Sequence, residues 1–377
     1  MHTFDVIVAG VGSMGAQTCW QLAKRGLRVL GLDRYDIPNQ MGSSHGEHRI
    51  IRLAYFEHPL YVPILRRAYE LWRELEQLSS EQILFVTGSM DIGAQGSEVI
   101  NGSLASCREH HLHHELLSAA EVMRRYPGYL LPHTFQAVYQ MDGGFVASER
   151  AVTAAARLAL ESGAIIRGHE PVLEVSPAPG GGVRVRTTRG TYEAGRLVAS
   201  AGAWIGEMLP RLKKIAVPER QVLGWFRPRT PELYRLGAFP VSNLKSDLGH
   251  FYQFPMWTVP GFKIGLYHHL RERGEADTLS RVPTQRDEEV LREGIARFFP
   301  EANGDVLALR TCLFTNTPDE HFILDTLPGF PEVIVASPCS GHGFKFSSAI
   351  GEILATMAMG RALRFDLSPF RLSRFEA

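Results

Sequence analysis

The stretch FDVIVAGVGSMGAQTCWQLAKRGLRVLGLD, residues 4–33, decides the fold of this chain. Its short apolar run Phe4–Ala9 is typical of a strand buried on both faces. A helical pattern follows over Ser13–Arg25, and a second apolar run, Leu27–Leu32, ends at Asp33. This order of elements predicts a βαβ unit, which opens an α/β nucleotide-binding fold.

Three glycines lie where the first strand turns into the helix, in the pattern Gly10-x-Gly12-x-x-Gly15. The first permits a tight turn, the second lets the backbone approach a pyrophosphate, and the third allows close contact between helix and strand. Asp33 would accept hydrogen bonds from an adenosine ribose. Arg34 would suit a 2′-phosphate, but beside an intact Asp33 such a residue is more often a solvated surface side chain. The pattern predicts a bound dinucleotide and leaves FAD and NAD open.

The charge composition argues against nucleic acid or a membrane as a partner. Lys plus Arg and Asp plus Glu number 40 each, so no net field attracts phosphates or anionic lipids. No apolar run approaches the roughly 20 residues that cross a bilayer. The first strand begins too early to leave room for a signal peptide. We expect a cytoplasmic protein.

The cysteines lie far apart and form no Cys-x-x-Cys pair, which predicts neither a zinc site nor a redox dithiol. So few thiols in a long chain fit a reducing compartment better than a disulfide framework. We therefore expect no bound metal. The four cysteines are Cys19, Cys107, Cys312 and Cys339.

Strand-helix patterns at both ends of the chain enclose a β-rich middle. Aromatic residues, prolines and alternating polarity over 217–299 favour a mainly antiparallel sheet. The polar, histidine-rich segment 39–55 is expected to be a loop over the cofactor. A chain of 377 residues is long for one core, and we predict two domains. The nucleotide-binding domain comprises residues 1–85, 145–215 and 310–377, and the substrate domain comprises residues 86–144 and 216–309.

Four stretches resemble the monomeric sarcosine oxidase and N-methyltryptophan oxidase family. The resemblance covers nearly the whole chain in the right order and implies a Rossmann-like FAD-binding domain with an interleaved, mainly antiparallel substrate domain. The cofactor it implies is FAD. The stretches are GSSHGEHRIIRLAY (42–55), CLFTNTPDEHFILD (312–325), SGHGFKFSS (340–348) and LSPFRLSRF (367–375).

By its position in the second of these motifs, Cys312 is the expected covalent attachment point of the flavin, through the 8α-methyl carbon. Without the resemblance, a lone cysteine is most often a small buried hydrophobe. Arg52 and Lys345 match the family's cations for the substrate carboxylate, which they would hold by charge-assisted hydrogen bonds. Lys345 follows a buried strand and lies between Phe344 and Phe346, an improbable setting for a solvated lysine.

Lys263 resembles the lysine that promotes the reaction of reduced flavin with oxygen, since a cation beside the ring stabilises superoxide as it forms. A strand lysine that points to solvent is the competing interpretation. Arg49 and His45 would add positive potential near the ring. Tyr252 matches an active-site tyrosine, although an aromatic residue in such a segment is otherwise simply core.

The resemblance thus assigns roles residue by residue. The expected catalytic residues are Lys263, Arg49, His45, Tyr252 and His268, and the expected substrate-binding residues are Arg52, Lys345, Tyr252, Phe314 and Gly341. The expected cofactor-binding residues are Gly10, Gly12, Ser13, Met14, Gly15, Asp33, Arg34, Ser43, Ser44, Arg49, Val172, Cys312, Gly341, Gly343, Phe344 and Lys345.

Three positions depart from the family pattern. His48 stands where the family has threonine, which changes the expected surroundings of the flavin. Phe314 replaces a tyrosine of the sarcosine enzymes, so a hydroxyl is missing from the pocket. One extra residue follows the Lys263 motif, so the family's histidine is either His268 or His269, of which we rank His268 first.

The resemblance implies hydride-equivalent transfer from the carbon beside the substrate nitrogen to the flavin, after which water hydrolyses the imine and oxygen is reduced to hydrogen peroxide. Sarcosine would give glycine and formaldehyde. The amine must react in its neutral form, and we expect the cavity to lower its pKa through its aromatic walls and the charges of Arg52 and Lys345. The partners would be a secondary amine and oxygen, and the protein a monomer.

Four alternatives stay open. The sequence Ser43-Ser44-His45 also resembles pipecolate oxidases, so cyclic amino acids such as proline or pipecolate are possible substrates. A flavin dehydrogenase would use another electron acceptor. A nicotinamide-linked imine reductase would share the glycine pattern, and a non-catalytic flavin-binding module would share the fold.

Overall fold

The computed structural model describes residues 2–375. Its strands are β1 (His2–Ala9), β2 (Val29–Leu32), β3 (His48–Ile51), β4 (Leu84–Val86), β5 (Ser89–Ala94), β6 (Glu115–Ser118), β7 (Phe135–Gln140), β8 (Gly144–Ala147), β9 (Ile165–Arg167), β10 (Val172–Pro177), β11 (Val183–Thr187), β12 (Thr191–Ala199), β13 (Val217–Phe226), β14 (Val241–Ser246), β15 (Gly249–Phe254), β16 (Phe262–Leu266), β17 (Val306–Asn316), β18 (Ile323–Leu327) and β19 (Phe330–Ser337). Its α-helices are α1 (Ser13–Ala23), α2 (Val62–Ser79), α3 (Glu98–Glu109), α4 (Ala119–Arg125), α5 (Ser148–Glu161), α6 (Ile205–Met208), α7 (Gln285–Phe298) and α8 (Ser347–Ala358).

The first sheet confirms the predicted α/β opening. Its strands follow the order β10-β11-β12-β1-β2-β9, and β19 and β18 extend it beside β12. The strands β12, β1, β2 and β9 run parallel, as does β19 beside β12. Helix α1 lies between β1 and β2 in the chain and packs against α5 and α8. The glycine turn therefore lies at the carboxyl ends of parallel strands, where such sheets bind ligands.

The second sheet confirms a mainly antiparallel middle. Its order is β17-β13-β16-β15-β14-β5-β7-β6, and only the β14–β5 pair in it is parallel among residues 2–375. The segment 217–299 also contains α7, whose apolar stripe of Val290, Leu291, Ile295 and Phe298 belongs to the core under this sheet. Helix α7 begins with a capping box formed by Thr284 and Asp287.

The boundary predicted at residue 310 falls inside β17. This strand pairs with β13 from Asn316 back to Val306, so Cys312 lies on the second sheet. The division into two domains remains a prediction. What the pairing does show is that the strand carrying Cys312 enters the nucleotide-binding region from the other sheet.

The segment 39–55 is more than the loop that its polarity predicts. Residues His48–Ile51 form β3, which pairs with β8 in a small three-stranded sheet. Ile50 and Ile51 are buried, and this apolar contact, together with a partner strand far along the chain, outweighs the polar neighbours. Pairing in β3 fixes the backbone of Arg49, and Arg52 follows directly after the strand.

No helix within residues 2–375 combines the length and the apolar composition that crossing a membrane requires.

Candidate active site

The turn between β1 and α1 borders a cavity of about 490 Å³. Gly10 has a φ of +93°, and a Cβ atom there would lie 2.5 Å from the carbonyl oxygen of Ser200. A Cβ atom on Gly15 would lie 1.8 Å from the carbonyl oxygen of Gly10. At Gly12 the nearest atom would be the Ser44 hydroxyl, 3.6 Å away. The turn therefore excludes side chains beneath itself and leaves open backbone on its cavity side, which suits a pyrophosphate.

Asp33 lies beside this turn at the end of β2. Its carboxylate accepts hydrogen bonds from the backbone N–H groups of Val11 (2.7 Å) and Tyr35 (2.9 Å). Burial raises the pKa of Asp33, and these hydrogen bonds oppose the rise. Arg34 forms ion pairs with Asp277 (2.8 Å) and Glu207 (3.7 Å). Because two carboxylates already face Arg34, its guanidinium gives little support to a 2′-phosphate.

Most predicted cofactor residues share this cavity, and the remaining ones adjoin it. Gly15 lies beneath the turn, while Cys312 and Lys345 line a second, smaller cavity. The residues that line the large cavity are Gly10, Gly12, Ser13, Met14, Asp33, Arg34, Ser43, Ser44, Arg49, Val172, Gly341, Gly343 and Phe344.

The second cavity has a volume of about 70 Å³ and adjoins the first. Arg49, Phe314, Gly341 and Phe344 line both. The structure brings together here all five residues predicted to bind substrate, which are Arg52, Lys345, Tyr252, Phe314 and Gly341.

Arg52 is buried and already paired with protein carboxylates. Its guanidinium donates to both oxygens of Glu57, at 3.0 and 2.8 Å, and its Nε lies 3.3 Å from Asp91. Burial opposes the charge, but the carboxylates of Asp91 and Glu57 raise the pKa of Arg52. Burial would likewise raise the pKa of Glu57, yet the charge of Arg52 outweighs it and lowers that pKa. The pair is therefore ionised.

Lys345 is the second buried cation of this cavity. It lies in a short 3₁₀ turn, Phe344–Phe346, and its Nζ donates to the carbonyl oxygen of His342 at 2.8 Å. Burial, assisted by the charge of Arg52, lowers the pKa of Lys345 to about 7. Lys345 thus changes its charge near neutral pH.

The turn before Lys345 depends on glycine. Gly341 has a φ of +77°, and a Cβ atom there would lie 2.6 Å from the rings of both Phe314 and Tyr267. A Cβ atom on Gly343 would lie 1.6 Å from the carbonyl oxygen of Pro338. The backbone of this turn therefore fits between two aromatic rings at the junction of the cavities.

Lys263 lies on β16 behind the cavity walls, fully buried, and does not point to solvent. Its Nζ donates to the carbonyl oxygens of Gly46 and His48, each at 2.7 Å, and lies 4.2 Å from the ring of Phe254. Burial, with the charge of Arg49 beside it, lowers the pKa of Lys263 well below its usual value. Lys263 thereby joins the second sheet to the loop that precedes β3.

His45 and Arg49 belong to that loop and strand. Arg49 donates to the carbonyl oxygens of Ser43 (2.9 Å) and His48 (3.0 Å) and lines both cavities. Burial, with the charge of Arg49, lowers the pKa of His45 to about 4, so its imidazole is neutral at pH 7. Positive potential therefore comes from Arg49, whereas His45 contributes none as a charge.

Cys312 lines the smaller cavity from β17, next to the cavity residues Phe314 and Arg49. Its thiol is buried beside Leu223 and Trp225. Burial raises the pKa of Cys312, and the charges of Arg49 and Lys263 oppose the rise. Cys312 therefore borders the smaller cavity, whereas Cys19 lies in the helical core of the first sheet.

His268 does not lie where it was predicted. Its side chain turns away from the cavity and is bound by Glu219 (2.7 Å) and Glu320 (2.9 Å). Burial opposes protonation, but these hydrogen bonds raise the pKa of His268 to about 9. His269 instead pairs with Asp287 at 2.8 Å. Tyr267 lines the cavity in their place and donates to the carbonyl oxygen of Ser340.

The two other departures from the family pattern, His48 and Phe314, have different consequences. The ring of His48 lies off both cavities in an aromatic cluster, with its centroid 4.4 Å from Phe254 and 4.7 Å from Phe145. What His48 contributes towards the site is its carbonyl oxygen, the partner of Lys263. Phe314 does line the cavity, and its ring centroid lies 5.1 Å from that of Tyr267. Tyr267, which follows the end of β16, supplies a hydroxyl in this region instead.

A dinucleotide cavity at the carboxyl edge of a parallel sheet, joined to a small cationic cavity on a second sheet, defines a flavin-dependent oxidoreductase. The chain belongs to the family of FAD dependent oxidoreductases, whose model matches residues 5–357.

Individual relatives show the kinds of oxidase to which the chain is similar. The chain is 37% identical to monomeric sarcosine oxidase of Bacillus sp. (strain NS-129), over 98% of this chain and 97% of that protein. It is 36% identical to N-methyl-L-tryptophan oxidase of Salmonella typhi, over 99% of each chain. The solved structure of NikD, an unusual amino acid oxidase essential for nikkomycin biosynthesis, superposes with a TM-score of 0.84 and 26% identity over 98% of both chains.

Sequence reasoning missed several polar residues of the small cavity: Glu57, Asn243, His250 and Tyr267. For His250 a signal existed in the alternation along β15, because His250, Tyr252 and Phe254 share one face of the strand. For Tyr267 no comparable signal existed, since the chain leaves β16 at this point.

Proposed function

We propose that this chain is an FAD-dependent oxidase of N-methyl, or more generally secondary, amino acids. It oxidises the C–N bond to an imine that hydrolyses, and it reduces O₂ to H₂O₂. Sarcosine would yield glycine and formaldehyde. The observation that carries the proposal is the pair of buried cations, Arg52 and Lys345, in a small cavity that adjoins the dinucleotide cavity. The oxidase relatives named above support it.

FAD, when bound, supplies the two-electron acceptor, and the protein supplies binding and orientation. Protonated Lys345 supplies the net positive charge that holds the substrate carboxylate, and Arg52, whose charge is largely offset by Glu57 and Asp91, contributes N–H groups beside it. This fixes the distance of the neighbouring nitrogen and carbon from the cavity junction. Tyr252 and Phe314 exclude water around the amine. A nitrogen that has lost its proton can then stabilise the developing iminium.

The reaction with oxygen is assigned to Lys263. Two carbonyl oxygens hold its Nζ in one place behind the cavity walls. A cation or proton donor fixed there stabilises the negative charge that develops on oxygen without reorganisation. Arg49 adds a permanent positive charge beside it.

Covalent attachment of the flavin is assigned to Cys312. Its support is the place of Cys312 in the lining of the smaller cavity, which adjoins the dinucleotide cavity, and the resemblance of its motif. Acid precipitation tests the bond: flavin should stay with the pellet of the wild-type protein and be lost from Cys312→Ser. Cys107→Ser, a substitution at a buried cysteine elsewhere, is the matched control. Release of flavin from the acid-treated wild type would reject the attachment.

The small cavity favours small substrates. Its volume of about 70 Å³ is far below the ~300–1,000 Å³ typical of sites for drug-sized ligands. We therefore rank sarcosine and short N-methyl amino acids above N-methyltryptophan. Proline and pipecolate carry the same carboxylate and secondary amine and remain the alternative substrates. A dehydrogenase that passes electrons to another acceptor is the alternative reaction.

One experiment separates these functions. The purified yellow protein is mixed with sarcosine, N-methylalanine, N-methyltryptophan, proline and pipecolate, while oxygen consumption and peroxide are both measured. An oxidase forms one peroxide per oxygen consumed and is fastest with a small N-methyl amino acid. Flavin bleaching without peroxide would identify a dehydrogenase, and no bleaching with any amine would reject catalysis on amines altogether.

We further propose that the protein acts as a monomer in the cytoplasm. The word monomeric in the names of the sarcosine oxidase relatives supports the first part, and the four widely spaced cysteines, which fit a reducing compartment, support the second. Sedimentation equilibrium at micromolar protein tests the first part, and a mass other than about 42 kDa would reject it.

A further inference from the structure

One polar side chain in the small cavity has no role in the chemistry proposed above. Strand β15 points His250, Tyr252 and Phe254 towards the cavity, whereas Phe251 on the opposite face joins the core of the second sheet. Tyr252 packs against the apolar cluster that contains Cys312. His250 lies near the start of the strand, next to Phe56 and Tyr267.

The ring of His250 is held firmly by its neighbours. Its centroid is 5.4 Å from that of Phe56, edge to face, and 5.5 Å from that of Tyr267, nearly stacked. These contacts leave the ring little freedom to rotate. A rigid polar group is well suited to discriminate between ligands, because no ordering entropy opposes its hydrogen bonds.

Nε2 of His250 is buried and has no hydrogen-bond partner among residues 2–375. Burial lowers the pKa of His250 to about 4, with the charges of Glu57 and Arg52 acting in opposite senses. The imidazole is therefore neutral at pH 7. A buried polar nitrogen without a partner costs about 1–3 kcal/mol, and a bound molecule that satisfies it recovers that free energy.

We propose that His250 recognises the substrate side chain, and that the preferred substrates are secondary amino acids with a short side chain that carries a hydroxyl or a carboxamide. This inference rests on the proposed function. Arg52 and Lys345 already provide the charges for the carboxylate, and a neutral imidazole adds none. Asn243, whose Nδ2 donates to Asp91 at 2.8 Å, adds a second polar group to the same cavity.

The test compares isosteric substrates, which differ in polarity and not in shape. N-methylthreonine is paired with N-methylvaline, and N-methylasparagine with N-methylleucine. The wild-type enzyme should favour the polar member by about 5- to 150-fold in kcat/KM, the factor that corresponds to one hydrogen bond replacing an unpaired buried nitrogen. The ratio within a pair cancels any general loss of activity in a variant.

His250→Leu removes the polar nitrogen and should bring the ratio close to one, while His250→Asn, which keeps a donor and an acceptor, should retain part of it. His113→Leu, the same change at an exposed histidine, is the control and should keep the wild-type ratio. Flavin content verifies that each variant is folded, and acetate binding is measured separately as a probe of the carboxylate site.

The inference is overturned if the wild type shows no preference or favours the apolar members, or if His250→Leu keeps the polar preference. An unchanged ratio together with equally weakened acetate and substrate binding would assign His250 to the carboxylate. If sarcosine gives peroxide and the ratio is one, only this inference fails. If no secondary amine gives peroxide, the proposed function fails with it.

Discussion

The binding of a carboxylate should weaken as the pH rises through neutrality. Lys345 has a pKa of about 7, and only its protonated form attracts an anion. Between pH 6 and pH 8 its protonated fraction falls from about nine-tenths to about one-tenth. A ligand that requires the charge should therefore bind about tenfold more weakly at pH 8 than at pH 6, or about 1.4 kcal/mol. Because the anion stabilises the ammonium, binding should also take up protons in the same range.

The sign of the effect is specific to Lys345. Arg52 stays charged throughout, and the charge of Arg52 keeps Glu57 ionised despite its burial. The pKa values of His250 and His342 are about 4, so both imidazoles stay neutral. Above pH 8 the protonation of His268, with a pKa of about 9, begins to change, and the measurement stops short of that range.

Acetate is the appropriate ligand because it carries the carboxylate without an amine that would titrate. Its Kd is measured from the flavin absorbance of the holoenzyme at pH 6.0, 7.0 and 8.0, chosen about one unit either side of the Lys345 pKa. Lys345→Met should bind acetate roughly 10- to 100-fold more weakly at pH 6, the loss expected for one hydrogen bond to a charged group, and with no pH dependence. A wild-type Kd that is constant over this range, or the same slope in the variant, would refute the assignment.

Three further substitutions test other parts of the molecule. Lys263→Met should slow the oxygen reaction of the reduced enzyme by roughly 100-fold in stopped-flow measurements while the amine still bleaches the flavin; an unchanged oxygen rate would contradict the role of Lys263. Gly265→Ala should raise the KM for sarcosine roughly tenfold or more, because its Cβ would lie 2.3 Å from Tyr252; an unchanged KM would mean that Tyr252 does not contact substrate. Asp287→Asn should lower the free energy of unfolding by about 1.5–3 kcal/mol in urea titrations, since it removes the carboxylate 2.8 Å from the buried Arg220 and leaves Glu272, at 3.5 Å, as its remaining ionised partner; a loss below 1 kcal/mol would show that the pair is dispensable.

The parts of the fold that followed from the sequence are those decided by neighbours in the chain. Gly15 is required because a Cβ atom there would lie 1.8 Å from the carbonyl oxygen of Gly10, five residues earlier in the same strand–turn–helix unit. The buried run of β1 and the helical pattern of α1 are equally local. Strand β3 was missed because its partner β8 lies far along the chain, and no local pattern reveals that pairing.

The candidate site likewise contains residues that the local sequence identifies and residues that it does not. Arg52 and Lys345 were placed by the motifs around them, and the structure brings both to one cavity. The histidine after Lys263 could not be placed, because the backbone decides which side chain turns inward. His268 and His269 have φ values of 62° and 28°, a left-handed turn that ends the alternation of β16 and leaves Tyr267 at the cavity wall.

The buried carboxylates also change what we expect to lower the pKa of the bound amine. Two cations alone would lower the pKa of a bound amine by charge repulsion. Glu57 faces Arg52 with both oxygens, and Asp91 lies 3.3 Å from its Nε, so the charge of Arg52 is offset before any substrate binds. A substrate carboxylate then adds negative charge, which favours the protonated amine. The deprotonation of the amine must therefore be driven by desolvation between Tyr252, Tyr267 and Phe314, and apolar packing around the nitrogen, more than the cations, should control how readily the substrate reacts.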